Sequence, residues 1–99
     1  MKDEIFKLVS TIPEGKVTTY GEIARALHIS SPKVVGWSLH MNKDPKNIPC
    51  HRVVFKDGSL SKGYAFGGER VQKIKLEREG VGFREARVEM SKYLYTFNL

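Results

Sequence analysis

Two helix-start signals set close together constrain this chain more than any other feature. Thr19 stands before Tyr20–Leu27, where Ile23, Ala26 and Leu27 share one helical face, so its hydroxyl is placed to cap that helix. A few residues later Ser31-Pro32 puts a capping hydroxyl ahead of a proline at the first helical position, and the pattern then runs to about Met41. Two short helices joined this closely read as a helix-turn-helix. In the second, Val35 and Leu39 lie one turn apart and are expected to face the core. Lys33, Trp37 and His40 follow i, i+4, i+7 spacing on another face, which carries a cation, an aromatic and an imidazole beside the bare backbone of Gly36. That face is expected to meet a partner rather than the core.

The rest of the chain supplies short elements around this pair. Ile5, Phe6, Leu8, Val9 and Ile12 recur at helical spacing, which predicts an amphipathic helix over Asp3–Ile12, stopped by Pro13 and Gly15. Asn42 to Asn47 is an irregular loop, and Arg52–Phe55 a short strand that turns at Lys56-Asp57-Gly58-Ser59. Glycines bound the loop Gly63-Tyr64-Ala65-Phe66-Gly67-Gly68, and a charged helix follows from about Glu69 to Glu79. Phe83–Leu99 is read as a strand and a packed tail. The expected fold class is mostly α with a few short strands, a winged-helix-like helix-turn-helix in one domain over residues 1–99.

Composition narrows the partners. A net charge of +6, from 17 Lys and Arg against 11 Asp and Glu, favours polyanions if the positive charge lies on a surface that can enter a groove. One cysteine allows no internal disulfide and fits a reducing compartment. No signal peptide or apolar run of membrane-spanning length is present, so the protein is expected to be soluble, cytoplasmic and monomeric.

That single cysteine lies in Ile48-Pro49-Cys50-His51-Arg52-Val53-Val54. A free thiol, with a pKa of about 8.5, is only a few per cent thiolate at neutral pH, so a reactive one needs a base or a positive field. His51 is adjacent, but consecutive side chains in extended structure point apart, which favours relay through a water over direct transfer. A carboxylate on the other ring nitrogen would fix the tautomer, and Glu79 is one of several candidates. Arg52 could supply field or be a structural ion-pair partner. The alternative for Cys50 is a small buried thiol without chemistry. One cysteine with His28, His40 and His51 gives no zinc spacing, and no Cys-x-x-Cys or phosphate-cradling glycine motif occurs, so neither metal nor cofactor is expected.

Pro49-Cys50-His51-Arg52-Val53 resembles the active-site signature of the O6-alkylguanine-DNA alkyltransferases. The resemblance extends to Val17-Thr18-Thr19-Tyr20-Gly21-Glu22-Ile23-Ala24, Val35-Gly36, Asn42, Gly63-Tyr64, Gly67-Gly68 and Glu79-Gly80, in order along nearly the whole chain. It corresponds to that family's C-terminal DNA-binding and catalytic domain. The resemblance implies that Cys50 takes an alkyl group from O6 of guanine, once per molecule. His51 would deprotonate it through a water, Glu79 would orient His51, and Asn42 would hold the cysteine loop. Tyr20 would donate a proton to the departing guanine and help rotate the nucleotide. Tyr64, Ala65, Phe66 and Gly67 would wall the substrate pocket. The partner implied is double-stranded DNA, entered through the minor groove by the second helix, with Ser31, Pro32, Lys33, Gly36 and Trp37, together with Thr19 and Arg52, as contacts. Lys33 stands where the family has an arginine, and offers charge without a planar surface. Single-domain relatives include alkyltransferase-like proteins, which bind alkylated DNA and hand it to excision repair, but typically have another residue at the cysteine position. A plain winged-helix regulator with an inert cysteine would share the helix pair and the charge, without a reason for Asn42, Cys50, His51 and Glu79 together.

Overall fold

The computed structural model describes residues 1–98; Leu99, the last residue of the expected tail, lies outside them. Helix α1 covers Lys2–Val9 and ends three residues before its apolar spacing predicts. The hydroxyls of Ser10 and Thr11 donate back to the carbonyls of Lys7 and Leu8, both at 2.6 Å, and close the last turn. Pro13 also disfavours helical geometry at Ile12, which still reaches the core from the turn.

The helix pair forms as its caps require. Helix α2 (Tyr20–Ala26) opens with the Glu22 amide donating to Thr19 Oγ1 at 2.9 Å, and α3 (Pro32–His40) with the Lys33 amide donating to Ser31 Oγ at 3.2 Å. Between them the chain reverses at His28, whose φ of 56° is left-handed. The Ile29 amide reaches the Ala24 carbonyl (2.8 Å) and the His28 amide that of Arg25 (3.3 Å), a Schellman closure with histidine where glycine is usual. Ile5 and Val9 of α1, Ile23, Ala24 and Ala26 of α2, and Val35 and Leu39 of α3 make one core.

A parallel pair, β1 (Thr18–Thr19) with β2 (Val53–Val54), ties the entry of α2 to the segment after the cysteine, in register Thr18 to Val53. The strand expected over Arg52–Phe55 is therefore shorter. Cys50–Arg52 is a 3-10 turn, closed by the Arg52 amide on the Pro49 carbonyl at 3.0 Å. Helix α4 covers Gly68–Arg78, within a residue of expectation at each end.

The tail holds more structure than its sequence announces. Strands β3 (Phe83–Arg84) and β4 (Arg87–Val88) form a hairpin turned by Glu85 and Ala86, both left-handed although neither is glycine or asparagine. A short helix α5 (Met90–Tyr93) follows. The Val17 amide then donates to the Tyr93 carbonyl and the Tyr95 amide to that of Val17, at 3.0 and 2.6 Å. Phe97 enters the main core edge-on to Tyr95, its amide held by Glu22 Oε2 and its carbonyl by Arg25 Nη2, both at 2.8 Å. Among the described residues no helix is long and apolar enough to cross a membrane. Because Phe97 is buried at 7% exposure, Phe97→Ala is expected to cost about 3 kcal/mol of stability. Urea denaturation followed by far-ultraviolet circular dichroism measures it, and an unchanged midpoint would mean the tail is a passive appendage.

Candidate functional site

Cys50 opens the 3-10 turn, with 6% of its surface exposed. Asn42, itself buried, spans the loop that carries it. Its Nδ2 donates to the Ile48 carbonyl (2.9 Å) and to Cys50 Sγ (3.3 Å), while its Oδ1 accepts from the Asp44 amide (2.9 Å). One amide thus fixes both ends of the loop and touches the sulfur.

His51 and Arg52 meet one carboxylate. His51 Nε2 lies 2.9 Å from Glu79 Oε2, and Arg52 grips Glu79 in a fork, Nε to Oε1 at 2.9 Å and Nη2 to Oε2 at 2.7 Å. Arg52 Nη1 donates to the Ile12 carbonyl at 2.7 Å. An ionised carboxylate only accepts, so the His51 proton sits on Nε2 and leaves Nδ1 as the basic nitrogen. Nδ1 is buried and has no hydrogen-bond partner among the described residues. Below the turn, Gln72 Nε2 donates to the carbonyls of His51 and Val53, both at 3.0 Å, and its Oε1 accepts from the Ser61 amide at 3.2 Å.

These contacts set the protonation states. Burial pushes the Cys50 thiol up, against the Asn42 hydrogen bond and the Lys75 charge. Burial holds His51 below its ordinary value, outweighing Glu79, with Arg52 and Lys75 adding to the depression. Burial also acts to raise Glu79, but the hydrogen bonds from Arg52 and His51 leave it lowered. At neutral pH the triad is therefore a thiol, a neutral imidazole and a carboxylate.

Cys50 lines a cavity of about 610 Å³ between α3 and the loop before α4. Tyr20, Tyr64 and Ala65 line it with the cysteine, and Lys33, Gly36 and Trp37 line it from α3. A Cβ on Gly36 would make an ordinary van der Waals contact with the Tyr20 ring, at 3.7 Å. Burial pushes the Tyr20 phenol up, with the Ser61 hydroxyl opposing. Trp37 is 70% exposed.

Other expected site residues stand elsewhere. Phe66 does not line the cavity; it packs edge-on to Tyr64, 5.8 Å between ring centres. Gly67 caps α4 at a φ of 125°, and a Cβ there would meet Val71 at 2.5 Å, so its role is local geometry. Thr19 spends its hydroxyl on capping α2, and Ser31 on α3. Arg52, expected among the DNA contacts, turns into the fold to hold Glu79 instead. Sequence reasoning also missed Lys75, whose Nζ donates to Tyr64 Oη at 2.7 Å and lies 5.7 Å from the centre of the Phe66 ring. A lone lysine on a charged helix carries no signal for that. Among the described residues no group of three His, Cys, Asp or Glu could hold a metal ion.

Residues 1–81 match the family described as "6-O-methylguanine DNA methyltransferase, DNA binding domain". The chain belongs to this family. Its relatives include the methylated-DNA–protein-cysteine methyltransferase of Methanocaldococcus jannaschii, 46% identical over 77% of this chain and 43% of that protein. Alkyltransferase-like protein 1 of Schizosaccharomyces pombe is 40% identical over 79% of this chain and 73% of that one. The fold matches the crystal structure of S. pombe Atl1 in complex with damaged DNA containing O6-carboxymethylguanine, at a TM-score of 0.85 and 32% identity, over 97% of this chain and 94% of that one. The match spans between 24% and 56% of the length of the methyltransferase relatives.

For a member of this methyltransferase family, the titrations give two measurable consequences. Folded His51 binds a proton less readily than an unfolded histidine, and folded Glu79 less readily than an unfolded glutamate, so acid favours the unfolded chain in both cases. The His51 contribution is complete above its ordinary value of 6.5 and is lost as pH falls below it; that of Glu79 follows below 4.5. The urea midpoint should therefore drop between about pH 7 and 5, and His51→Gln should flatten that drop. Lys75→Met removes a charge that lowers the thiol, so the alkaline rise in iodoacetamide labelling of Cys50 should move to higher pH. An unshifted profile would show that Lys75 exerts no field at the sulfur.

Proposed function

We propose that the protein binds double-stranded DNA carrying O6-alkylguanine, turns the modified nucleotide into the cavity and moves the alkyl group to Cys50. The observation that carries this reading is the thiol itself. Cys50 lines an open cavity with its sulfur held by Asn42, and the next residue is a neutral histidine whose tautomer a carboxylate fixes. An inert core cysteine has no need of that set.

In the proposed reaction Cys50 loses its proton through a water to His51 Nδ1, and Glu79 balances the imidazolium formed. The sulfur attacks the alkyl carbon in line with the bond to O6. The S–C bond forms as the C–O bond breaks, and the electron pair stays on guanine, which takes a proton from Tyr20. Tyr20 regains a proton from solvent, and His51 gives its own up. A thioether is a poor leaving group, so each molecule acts once. Extruding the base costs a few kcal/mol of stacking. The surface proposed to meet that cost is the start of α3, with Ser31, Pro32 and Lys33 entering the minor groove; Lys33 supplies charge, and Gly36 lets the backbone approach.

A second reading keeps the binding and drops the chemistry. The likeness to Atl1 over nearly the full length of both chains favours an alkyltransferase-like protein that marks the lesion for excision repair. The retained cysteine favours transfer. Incubation with a duplex containing O6-methylguanine, followed by intact mass measurement, separates the two. Transfer adds one methylene mass at Cys50, and Cys50→Ser abolishes the gain without loss of binding. Tight binding with no mass gain would establish the lesion-binding reading instead.

A further inference from the structure

Trp37 is the one tryptophan of the chain, and packing does not account for where it stands. Val35, Ser38 and Leu39 anchor α3 to the core, so the helix rotation is fixed and the indole is held outward at 70% exposure. Gly36 precedes it and adds no side chain beside the ring. The indole also lines the mouth of the cavity, so it borders both that space and the solvent beyond α3.

The charge around it selects an occupant. Lys33 stands one turn before Trp37, and Lys56 lines the same cavity; no carboxylate lines it. A planar apolar face flanked by cations suits a nucleobase on a phosphate backbone, because every base offers a π-face and every phosphate a negative charge. A second copy of the chain would bring the same lysines and the same +6 charge against it, which opposes self-association through this face.

We infer that the indole of Trp37 is a stacking platform for a base of the duplex at the cavity mouth, beside the position a nucleotide leaves when it enters the cavity. The inference rests on the DNA-binding reading above and deepens it. Lys33 and Trp37 then divide the work of α3: the ammonium holds phosphate, and the indole replaces stacking that extrusion removes.

A single tryptophan gives the test its readout. Titration with a duplex containing O6-methylguanine should quench the emission of the wild-type protein and protect it from acrylamide, in step with fluorescence anisotropy of labelled DNA. Trp37→Ala should weaken that binding roughly tenfold or more, and Trp37→Phe should restore most of it. The exposed position keeps the fold out of the comparison, which circular dichroism of both variants verifies. Binding by anisotropy with unchanged emission, and Trp37→Ala equal to wild type, would overturn the stacking role and leave DNA binding intact. Absence of binding to any duplex would overturn the DNA reading and this inference with it. A dimer of the free protein that Trp37→Ala dissociates would assign the indole to a second copy and overturn the inference as well.

Discussion

The carboxylate of Glu79 is where the helical scaffold and the cysteine turn are joined. It sits at the C-terminal end of α4, where the helix dipole disfavours negative charge. Two hydrogen bonds from Arg52 and one from His51 outweigh that field and the cost of burial, and keep the group ionised. Arg52 also reaches the Ile12 carbonyl beyond α1, so one side chain ties α1, the 3-10 turn and α4 together. The His51 tautomer follows from this arrangement. With Glu79 accepting at Nε2, the free nitrogen is Nδ1, and the imidazole is a base rather than an acid.

Burial then works on the three groups in different ways. It raises the thiol and depresses the imidazole, so both favour their neutral forms in the resting protein. Such a site does not keep a thiolate waiting in water. It keeps a thiol beside a base, with the Asn42 amide and the Lys75 ammonium placed where negative charge on sulfur would develop. Groups aimed at charge that forms only during reaction assist the reaction more than the resting state. The cavity protects this arrangement because its walls are mainly aromatic and aliphatic.

What could be read in the sequence was local. Thr19 and Ser31 announce α2 and α3 because capping needs only a hydroxyl and the next few amides. Val35 and Leu39 announce the buried face because helical period is a one-dimensional pattern. The pairing of His51 with Glu79 entered only through the family resemblance, since spacing left several carboxylates equal. Arg52 was open between a field and an ion pair, and tertiary structure decided it. Lys75 and Gln72 were silent because their value lies in what they reach across the fold. The hairpin at Glu85-Ala86 and the reversal at His28 were silent for another reason. Both use left-handed backbone without the glycine or asparagine that marks it.

The proposed binding surface and the proposed nucleophile lie on different elements of this small fold, and that separation bears on how the two proposed readings are related. Lys33, Trp37 and His40 project from α3, whose position depends on its packing against α1 and α2. Cys50, His51 and Glu79 depend on the 3-10 turn and α4, with Asn42 and Gln72 as their struts. Loss of the thiol would leave the packing of α3 on α1 and α2 in place, so in the proposed reading grip on DNA can outlast chemistry. The reverse does not hold. In the proposed reaction extrusion precedes attack, so a protein with the thiol but without the α3 surface would not meet the target atom. One scaffold can therefore serve relatives named as methyltransferases and one named alkyltransferase-like. In this chain that turn still carries a cysteine, and Asn42 still holds it to the cavity.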